Sequence, residues 1–171
     1  MTNNMTNDTH CLNPLGMENH GIPSHGLYVT SVLYQNTDQY GKERGRLNNP
    51  LPTNIFVNAW IPGTSDSDPH YDVDMSKNML VGGLMTRGCY KFNSFVREFK
   101  VLYDVDGGQG HQTLTDANGY ILTYGNIDSF IIVTHTFSNI ILARHLRIAI
   151  IKTSCKTYCS ISFEILGCQY Q

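Results

Sequence analysis

Apolar and polar residues alternate with a period of two through several stretches of this chain. Phe95, Phe99, Val101 and Tyr103 occupy odd positions, with Glu98 and Lys100 between them. Ile161, Phe163 and Ile165 repeat the pattern around Ser162 and Glu164, and Leu146, Ile148 and Ile150 repeat it again. Ile131 to Phe137 reads as a further strand. Successive side chains of a strand point to opposite faces, so each run predicts a half-buried strand. No window of about twelve residues carries a 3.6-residue apolar stripe, so no long amphipathic helix is expected. Turn signals separate the runs: Asn49-Pro50, Pro62-Gly63, Asp68-Pro69, Asp106-Gly107-Gly108, Asn118-Gly119 and Gly125-Asn126. The pattern predicts an all-β domain of about eight short strands, closed as a barrel or packed as two sheets so that edges are covered. In either arrangement the turns at one end are free to vary and to bind.

Composition narrows the function. The chain has 171 residues, enough for one good-sized domain. Its 41% hydrophobic and 15% charged residues are a globular balance. Twelve Lys+Arg against fourteen Asp+Glu give a formal charge of −2, which argues against nucleic-acid binding driven by phosphate neutralisation. The most apolar run, Ile140 to Ile151, is interrupted by Arg144, His145 and Arg147, so no transmembrane segment is expected. Residues 1–10 form a polar leader without the apolar core of a signal peptide, expected to be flexible. Asn4-Met5-Thr6 and Asn7-Asp8-Thr9 are glycosylation sequons within it.

The five cysteines, Cys11, Cys89, Cys155, Cys159 and Cys168, match no zinc spacing. Cys11 and Cys168 bracket nearly the whole chain, leaving a tail of residues 169–171. A bridge between them closes a loop of about 158 residues, worth roughly 5 kcal/mol in the chain-entropy model, and implies an oxidising, extracellular compartment. Two free thiols in a reducing compartment are the alternative. The odd count leaves one thiol over, and Cys89, Cys155 and Cys159 allow three pairings.

Ordered blocks of residues run from position 11 to 168. Cys11 is followed by Pro14-Leu15-Gly16-Met17-Glu18-Asn19 and Ile22-Pro23, then Arg46-Leu47-Asn48, Asn58-Ala59-Trp60, Val73-Asp74-Met75 and Leu84-Met85-Thr86-Arg87-Gly88. Phe95-Val96-Arg97-Glu98-Phe99-Lys100-Val101, Tyr103, Asp106-Gly107, Gly125-Asn126 and Ala143-Arg144-His145-Leu146-Arg147-Ile148 follow, and Ile161-Ser162-Phe163-Glu164-Ile165-Leu166-Gly167-Cys168 closes the set. In this order the blocks resemble the discoidin family, the C-type domains of coagulation factors V and VIII. The resemblance implies an eight-stranded jelly-roll barrel over residues 11–168, with Cys11 bridged to Cys168. It also implies a non-catalytic module for cell adhesion, whose ligand-binding loops, or spikes, lie away from the chain ends. Members bind anionic phospholipid, galactose-type carbohydrate, collagen or protein partners, so fold sets the class of function and not the ligand. The chain departs from the pattern at His70, where the family has Trp, and at the Cys155–Cys159 segment, which replaces a late Trp. A covalent staple there is one expectation; pairing of Cys89 with Cys155 or Cys159 is another.

On this mapping the first spike, from Leu33 to Gly41, offers Leu33, Tyr34, Asp38 and Tyr40. The second, Ile61 to His70, offers Asp66 and Asp68. The third, Arg87 to Phe95, offers Arg87, Tyr90, Lys91 and Phe92. Exposed rings at loop tips suit an interface, and the alternative is that they fold back into the barrel end. Asp66 and Asp68 suit a basic peptide end, though solvated loop carboxylates are the simpler reading. Arg87, Lys91, Lys42 and Arg44 are the cations open to an anionic membrane surface, but no polybasic cluster exists. The partners expected are therefore a cell-surface glycan, an extracellular protein or an anionic membrane, and glycan or protein stands ahead on charge. The seven His residues are scattered without paired spacing, so no metal site is expected. Asp104-Val105-Asp106-Gly107 lacks the later Glu of a calcium loop and reads as a tight turn. Calcium held by loop carbonyls is the one cofactor the resemblance leaves open. The competing function is an oligomerisation module joined by an interchain disulfide through Cys89.

Overall fold

The structure is a computed structural model that describes residues 11–48, 57–106, 110–121 and 123–171. The polar leader with its two sequons, the Asn49-Pro50 turn and the Gly107-Gly108 part of the later turn lie outside the described residues. Eight strands follow in chain order: β1 (Asn13–Pro14), β2 (Leu27–Val29), β3 (His70–Arg87), β4 (Glu98–Asp104), β5 (Gln112–Thr113), β6 (Thr123–Tyr124), β7 (Val133–Ile150) and β8 (Ser162–Gln169). One α-helical turn, α1 (Thr37–Tyr40), is capped by the Asn36 side chain, which accepts from the Gln39 N–H. The architecture is an antiparallel β-sandwich with the strand order β1-β8-β3-β7-β4-β5, β2 pairing with β3 and β6 with β4.

The strands are less uniform than the sequence pattern predicts. β3 and β7 each run for 18 residues, while β1, β5 and β6 are two-residue pairings. β3 is long because its register with β7 shifts between Asp74 and Met79 and again between Val81 and Gly83. Such irregularities bend a strand, so one continuous segment can turn a corner and serve both layers. Both ends of β3 consequently face the loops that carry the spikes.

The core follows the alternation in β3, β4 and β7: Tyr71, Val73 and Met75 of β3 are buried, as are Phe99 and Val101 of β4 and Leu146, Ile148 and Ile150 of β7. β8 departs from the half-buried strand that its alternation predicts, because Ser162, Glu164 and Leu166 are buried along with Phe163 and Ile165, with the first described segment and Arg46 packed on the polar face. Trp60 stacks edge-on against Tyr71 at 5.5 Å, and Tyr71 against Phe163 at 4.9 Å. The polar tips of this stack are satisfied: Trp60 Nε1 donates to the Ser31 carbonyl at 2.9 Å and the Tyr71 hydroxyl to the Lys42 carbonyl at 2.6 Å. Ion pairs lace the outer face of the β3–β7 ladder. Arg147 grips Asp72 directly opposite it at 2.7 and 2.9 Å, and Arg144 grips Asp74 at 2.9 and 3.1 Å. The arginines and carboxylates of the resemblance blocks are, at these positions, cross-strand ties.

One end is closed by the Cys11–Cys168 disulfide. Beside it, buried Glu164 receives the backbone N–H groups of Gly16, Met17, Glu18 and Ile165 at 2.8–3.2 Å. Buried Arg46 donates to the carbonyls of Met17 and Ile22, both at 2.9 Å, and to Glu43 at 2.7 Å. The first described segment is thus fastened to β8 by charge-assisted hydrogen bonds as well as covalently. A second disulfide joins Cys155 to Cys159, and Cys89 is a free, buried thiol. This excludes the pairing of Cys89 with either of them. Cys89 is 0% exposed in a small apolar cluster with Leu33, Tyr40, Val57, Ala59 and Ile61, so an interchain bridge through it requires that cluster to open. Burial pushes its thiol pKa up, further from a reactive thiolate.

Candidate functional site

Four loops meet at the pole opposite the Cys11–Cys168 bridge: the three expected spikes and the Cys155–Cys159 loop. Asn58 anchors the third spike at its root, accepting from the Tyr90 N–H at 3.3 Å and donating to the Gly88 carbonyl at 3.4 Å. Lys152 ties the disulfide loop to the second spike by donating to the carbonyls of Thr64 and Asp66, both at 2.7 Å. The disulfide loop also pairs with the third spike through Phe95 and Lys156.

A continuous set of rings runs across the junction. Tyr40 touches Tyr34 at 6.1 Å and Phe92 at 6.2 Å, and Phe92 meets Tyr158 edge-on at 5.2 Å. The Tyr34 and Tyr158 side chains hydrogen-bond, and that contact raises the Tyr158 phenol pKa. Tyr34 is 75% exposed although its backbone is left-handed, with φ 53°. Gln35 follows at φ 55°. Left-handed backbone costs a non-glycine residue about 1–2 kcal/mol. A large apolar ring held in water on such backbone marks a place where presentation outweighs local stability. The platform therefore consists of Tyr34, Phe92 and Tyr158, supported from beneath by Tyr40.

The sequence-derived candidates separate under this geometry. Leu33 and Tyr40 are 1% and 7% exposed. They face inward, packed in the small apolar cluster around Cys89, and are removed as ligand contacts. Asp66 is occupied as well. It accepts hydrogen bonds from the hydroxyls of Thr30 and Ser31 and from the Asp68 N–H. Burial pushes its carboxyl pKa up, but the bonds from Ser31 and Thr30 outweigh this and hold it below the usual range. Its position is that of a loop brace. Arg87 is half-buried at the end of β3 with its Nε shut off from solvent. Lys42 donates to the carbonyls of Ser24 and Leu27, and Arg44 to that of Asp38. Tyr34, Asp38, Asp68 and Lys91 remain exposed, and Phe92 and Tyr90 half-exposed. Lys91 lies over the Phe92 ring at 5.7 Å.

Two features escaped the sequence reading. Tyr158 was legible only as a residue between two cysteines, yet the short bridge projects it onto the platform. Beside the third spike, the loop between β6 and β7 exposes Ile127 at 85%, Phe130 at 52% and Ile131 at 59%. Phe130 packs on Tyr90 at 4.6 Å, and the Asp128 carboxylate turns inward to accept the N–H groups of Phe130 and Ile131, both at 2.8 Å. A cleft of ≈ 200 Å³ lies between the second spike and Tyr158. Among the described residues no group of three or more His, Cys, Asp or Glu could hold a metal ion, and no helix is long and apolar enough to cross a membrane.

Comparison with known proteins places these loops in a wider setting. The F5/8 type C domain matches residues 29–165. Lactadherin of Mus musculus is 29% identical over 173 residues, which cover 99% of this chain and 36% of that protein. Neuropilin-1 of Xenopus laevis is 28% identical over 169 residues, covering 97% of this chain and 17% of that protein. The chain thus spans about a third or less of these two relatives. Among solved structures, recombinant discoidin II of Dictyostelium discoideum superposes with a TM-score of 0.70 at 21% identity, over 85% of this chain and 56% of that one. The family 32 carbohydrate-binding module of C. perfringens NanJ, solved in complex with galactose, superposes with a TM-score of 0.61 at 15% identity, over 85% and 97%. At these identities the structural likenesses speak for the fold.

Proposed function

Since the chain belongs to the F5/8 type C, or discoidin, domain family and is a non-catalytic binding module, we propose that it acts outside the cell and recognises a surface glycan on the Tyr34–Phe92–Tyr158 platform. The single observation that carries this reading is the convergence of three rings from three separate loops, two with hydroxyl tips. A pyranose ring presents an apolar face that stacks on such rings and a rim of hydroxyls that hydrogen-bonds to polar groups around them. Electrostatics supports a neutral ligand. Of the four cations considered for a membrane, Lys42 and Arg44 hold backbone carbonyls, Arg87 is half-buried, and Lys91 alone projects. Two disulfides suit an oxidising compartment. The carbohydrate-binding module solved in complex with galactose has a similar fold, which supports the glycan reading.

A second reading rests on Ile127, Phe130 and Ile131. Three exposed apolar side chains on a loop whose backbone N–H groups are already partly satisfied suit insertion into a lipid interface. One screen separates the two. The purified domain is tested against a glycan array, phosphatidylserine vesicles and collagen, with and without calcium. The glycan reading expects array binding that falls about 10- to 100-fold in the Tyr34→Ala/Tyr158→Ala variant, with the melting temperature unchanged. Unchanged affinity in that variant overturns the platform assignment. Binding to vesicles alone, lost on Ile127→Ser/Ile131→Ser, establishes the membrane reading instead. Tyr40→Ala is not a binding probe, since it empties the support of the platform.

A further inference from the structure

The flank of the sandwich carries a second concave surface, away from the polar platform. Beyond β5, residues 114–121 together with β6 face the first half of β7, and they enclose a groove of ≈ 270 Å³. Tyr120, Tyr124 and Phe137 form its apolar walls, with Asp116, Thr123 and Thr136 supplying polar groups between them. Tyr120 and Tyr124 are 70% and 78% exposed, so neither ring contributes to the core.

The local sequence builds this wall without help from the interior. The Asp116 Oδ1 accepts the N–H groups of Asn118 and Tyr120 at 2.8 and 2.9 Å. The Asp116 N–H donates to the Tyr120 carbonyl, and the Gly119 N–H to the Asp116 carbonyl. Gly119 has φ 84°, a left-handed conformation that glycine adopts without cost, and open space surrounds it. The turn therefore closes on itself and fixes the backbone of Tyr120 at its end. Tyr124 is fixed separately, on β6 opposite Glu98 of β4. Two water-exposed tyrosines held by independent frameworks over one groove are not required by the packing of the fold.

We propose that this lateral groove is a saccharide-binding subsite, distinct from the pole, that takes one neutral pyranose ring. Its volume lies below the range of about 300–1,000 Å³ found for drug-sized ligands and suits a single sugar ring. Tyrosine rings supply rigid stacking area at low entropic cost, and the neighbouring hydroxyls and carboxylate match the donors and acceptors of sugar hydroxyls. No Lys or Arg is among the described residues lining the groove and Asp116 adds a negative charge, which favours a neutral ligand over a phosphate or sulfate group. With the pole occupied as well, the domain holds a branched or clustered glycan at two points, and the second contact forms at high effective concentration.

The test is a titration of the protein with tyrosine rings isotopically labelled, followed by NMR, using methyl galactoside, GalNAc-β-1,3-galactose and chitotriose as probes. The proposal expects the Tyr120 and Tyr124 ring signals to shift with at least one of these sugars. Tyr120→Ala and Tyr124→Ala should each weaken that binding about tenfold. The Tyr34→Ala/Tyr158→Ala variant should leave it unchanged. Because both rings are exposed, the variants keep the wild-type melting temperature, and Asp116→Asn removes the carboxylate charge while retaining the turn's acceptor. No movement of Tyr120 or Tyr124 with any probe overturns the proposal, as does movement with a proline-rich peptide and not with sugar. Shifts confined to Tyr34 and Tyr158 overturn the groove and leave the platform standing; shifts confined to Tyr120 and Tyr124 do the reverse.

Discussion

At the end where Cys11 meets Cys168, a carboxylate and a guanidinium lie inside the protein, whereas at the opposite pole tyrosine and isoleucine side chains lie in water. Glu164 and Arg46 are each 1% exposed and are surrounded by backbone partners, so their charges are anchored by hydrogen bonds. Tyr34 and Ile127 are 75% and 85% exposed and contribute almost nothing to burial. Each end reverses the usual placement of apolar inside and polar outside, but for different reasons. A buried charge with satisfied partners fixes one chain path, because any other path leaves it unpaired. An exposed ring leaves apolar area available for a partner. The disulfides follow the same division. One spans 157 positions of sequence and constrains the whole chain; the other spans 4 and constrains only the loop that presents Tyr158.

The sharpest way to break this division is to remove the bridges in turn. Cys11→Ser/Cys168→Ser should lower stability by about 4–5 kcal/mol, read as a shift of the denaturant midpoint, because the constraint on the unfolded chain grows with loop length. The fraction that remains folded should bind with unchanged affinity. Cys155→Ser/Cys159→Ser should cost at most about 2 kcal/mol, since the loop it closes is short, but should weaken binding at the pole by freeing Tyr158. Equal stability losses from the two variants would dissolve the distinction between the ends. Next in size is Glu164→Ala, expected to cost about 3 kcal/mol in urea unfolding, because it leaves several buried N–H groups of the first segment without an acceptor. Glu164→Gln should cost less, as one amide oxygen still accepts. A neutral effect of Glu164→Ala would show that the first segment is held by the disulfide alone.

The sandwich end was far more legible in the sequence than the pole. Ile161, Phe163 and Ile165 announce β8 by alternation, and the outer cysteines announce the bridge by position, because both signals are local or concern the chain ends. β3 was visible only through Val73-Asp74-Met75 and Leu84-Met85-Thr86-Arg87-Gly88. Its continuity through residues 76–78 depends on a bend set by the neighbouring strands, which no period reveals. At the pole, loop membership was readable but orientation was not. Tyr34 and Tyr40 stand in the same spike with the same side chain, and one faces water while the other supports the ring above it. What decides between them is the cluster of Leu33, Ala59, Ile61 and Cys89, assembled from distant parts of the chain. Tyr120 and Tyr124 gave no signal, because isolated tyrosines near an Asn-Gly turn are ordinary until the groove between them is seen.

Acid provides a milder way to set the two ends against each other, through His135 of β7. Desolvation lowers its pKa from the usual 6.5 to about 4, so the folded protein holds it neutral. Its Nε2 lies 2.8 Å from the Thr86 hydroxyl, which in turn donates to the Asn126 side chain at 2.8 Å. Asn126 holds the apolar loop in place by donating to the Ile131 carbonyl at 3.0 Å. The imidazole thus stabilises the binding end in its neutral form. In the unfolded chain it takes up a proton once the pH falls below about 6.5, and in the folded chain only near 4, so unfolding binds a proton throughout this window. Stability contributed by His135 is therefore complete above pH 6.5 and is lost as the pH falls toward 4, by about 2 kcal/mol once its partial exposure is allowed for. Urea unfolding at a series of pH values should show this slope in the wild type and its loss in His135→Gln. The 126–131 loop, held through Thr86 and Asn126, should lose amide protection in acid before the segment fastened to Glu164 does. Simultaneous loss at both ends would mean that the imidazole stabilises the sandwich as a whole and not the loop it reaches.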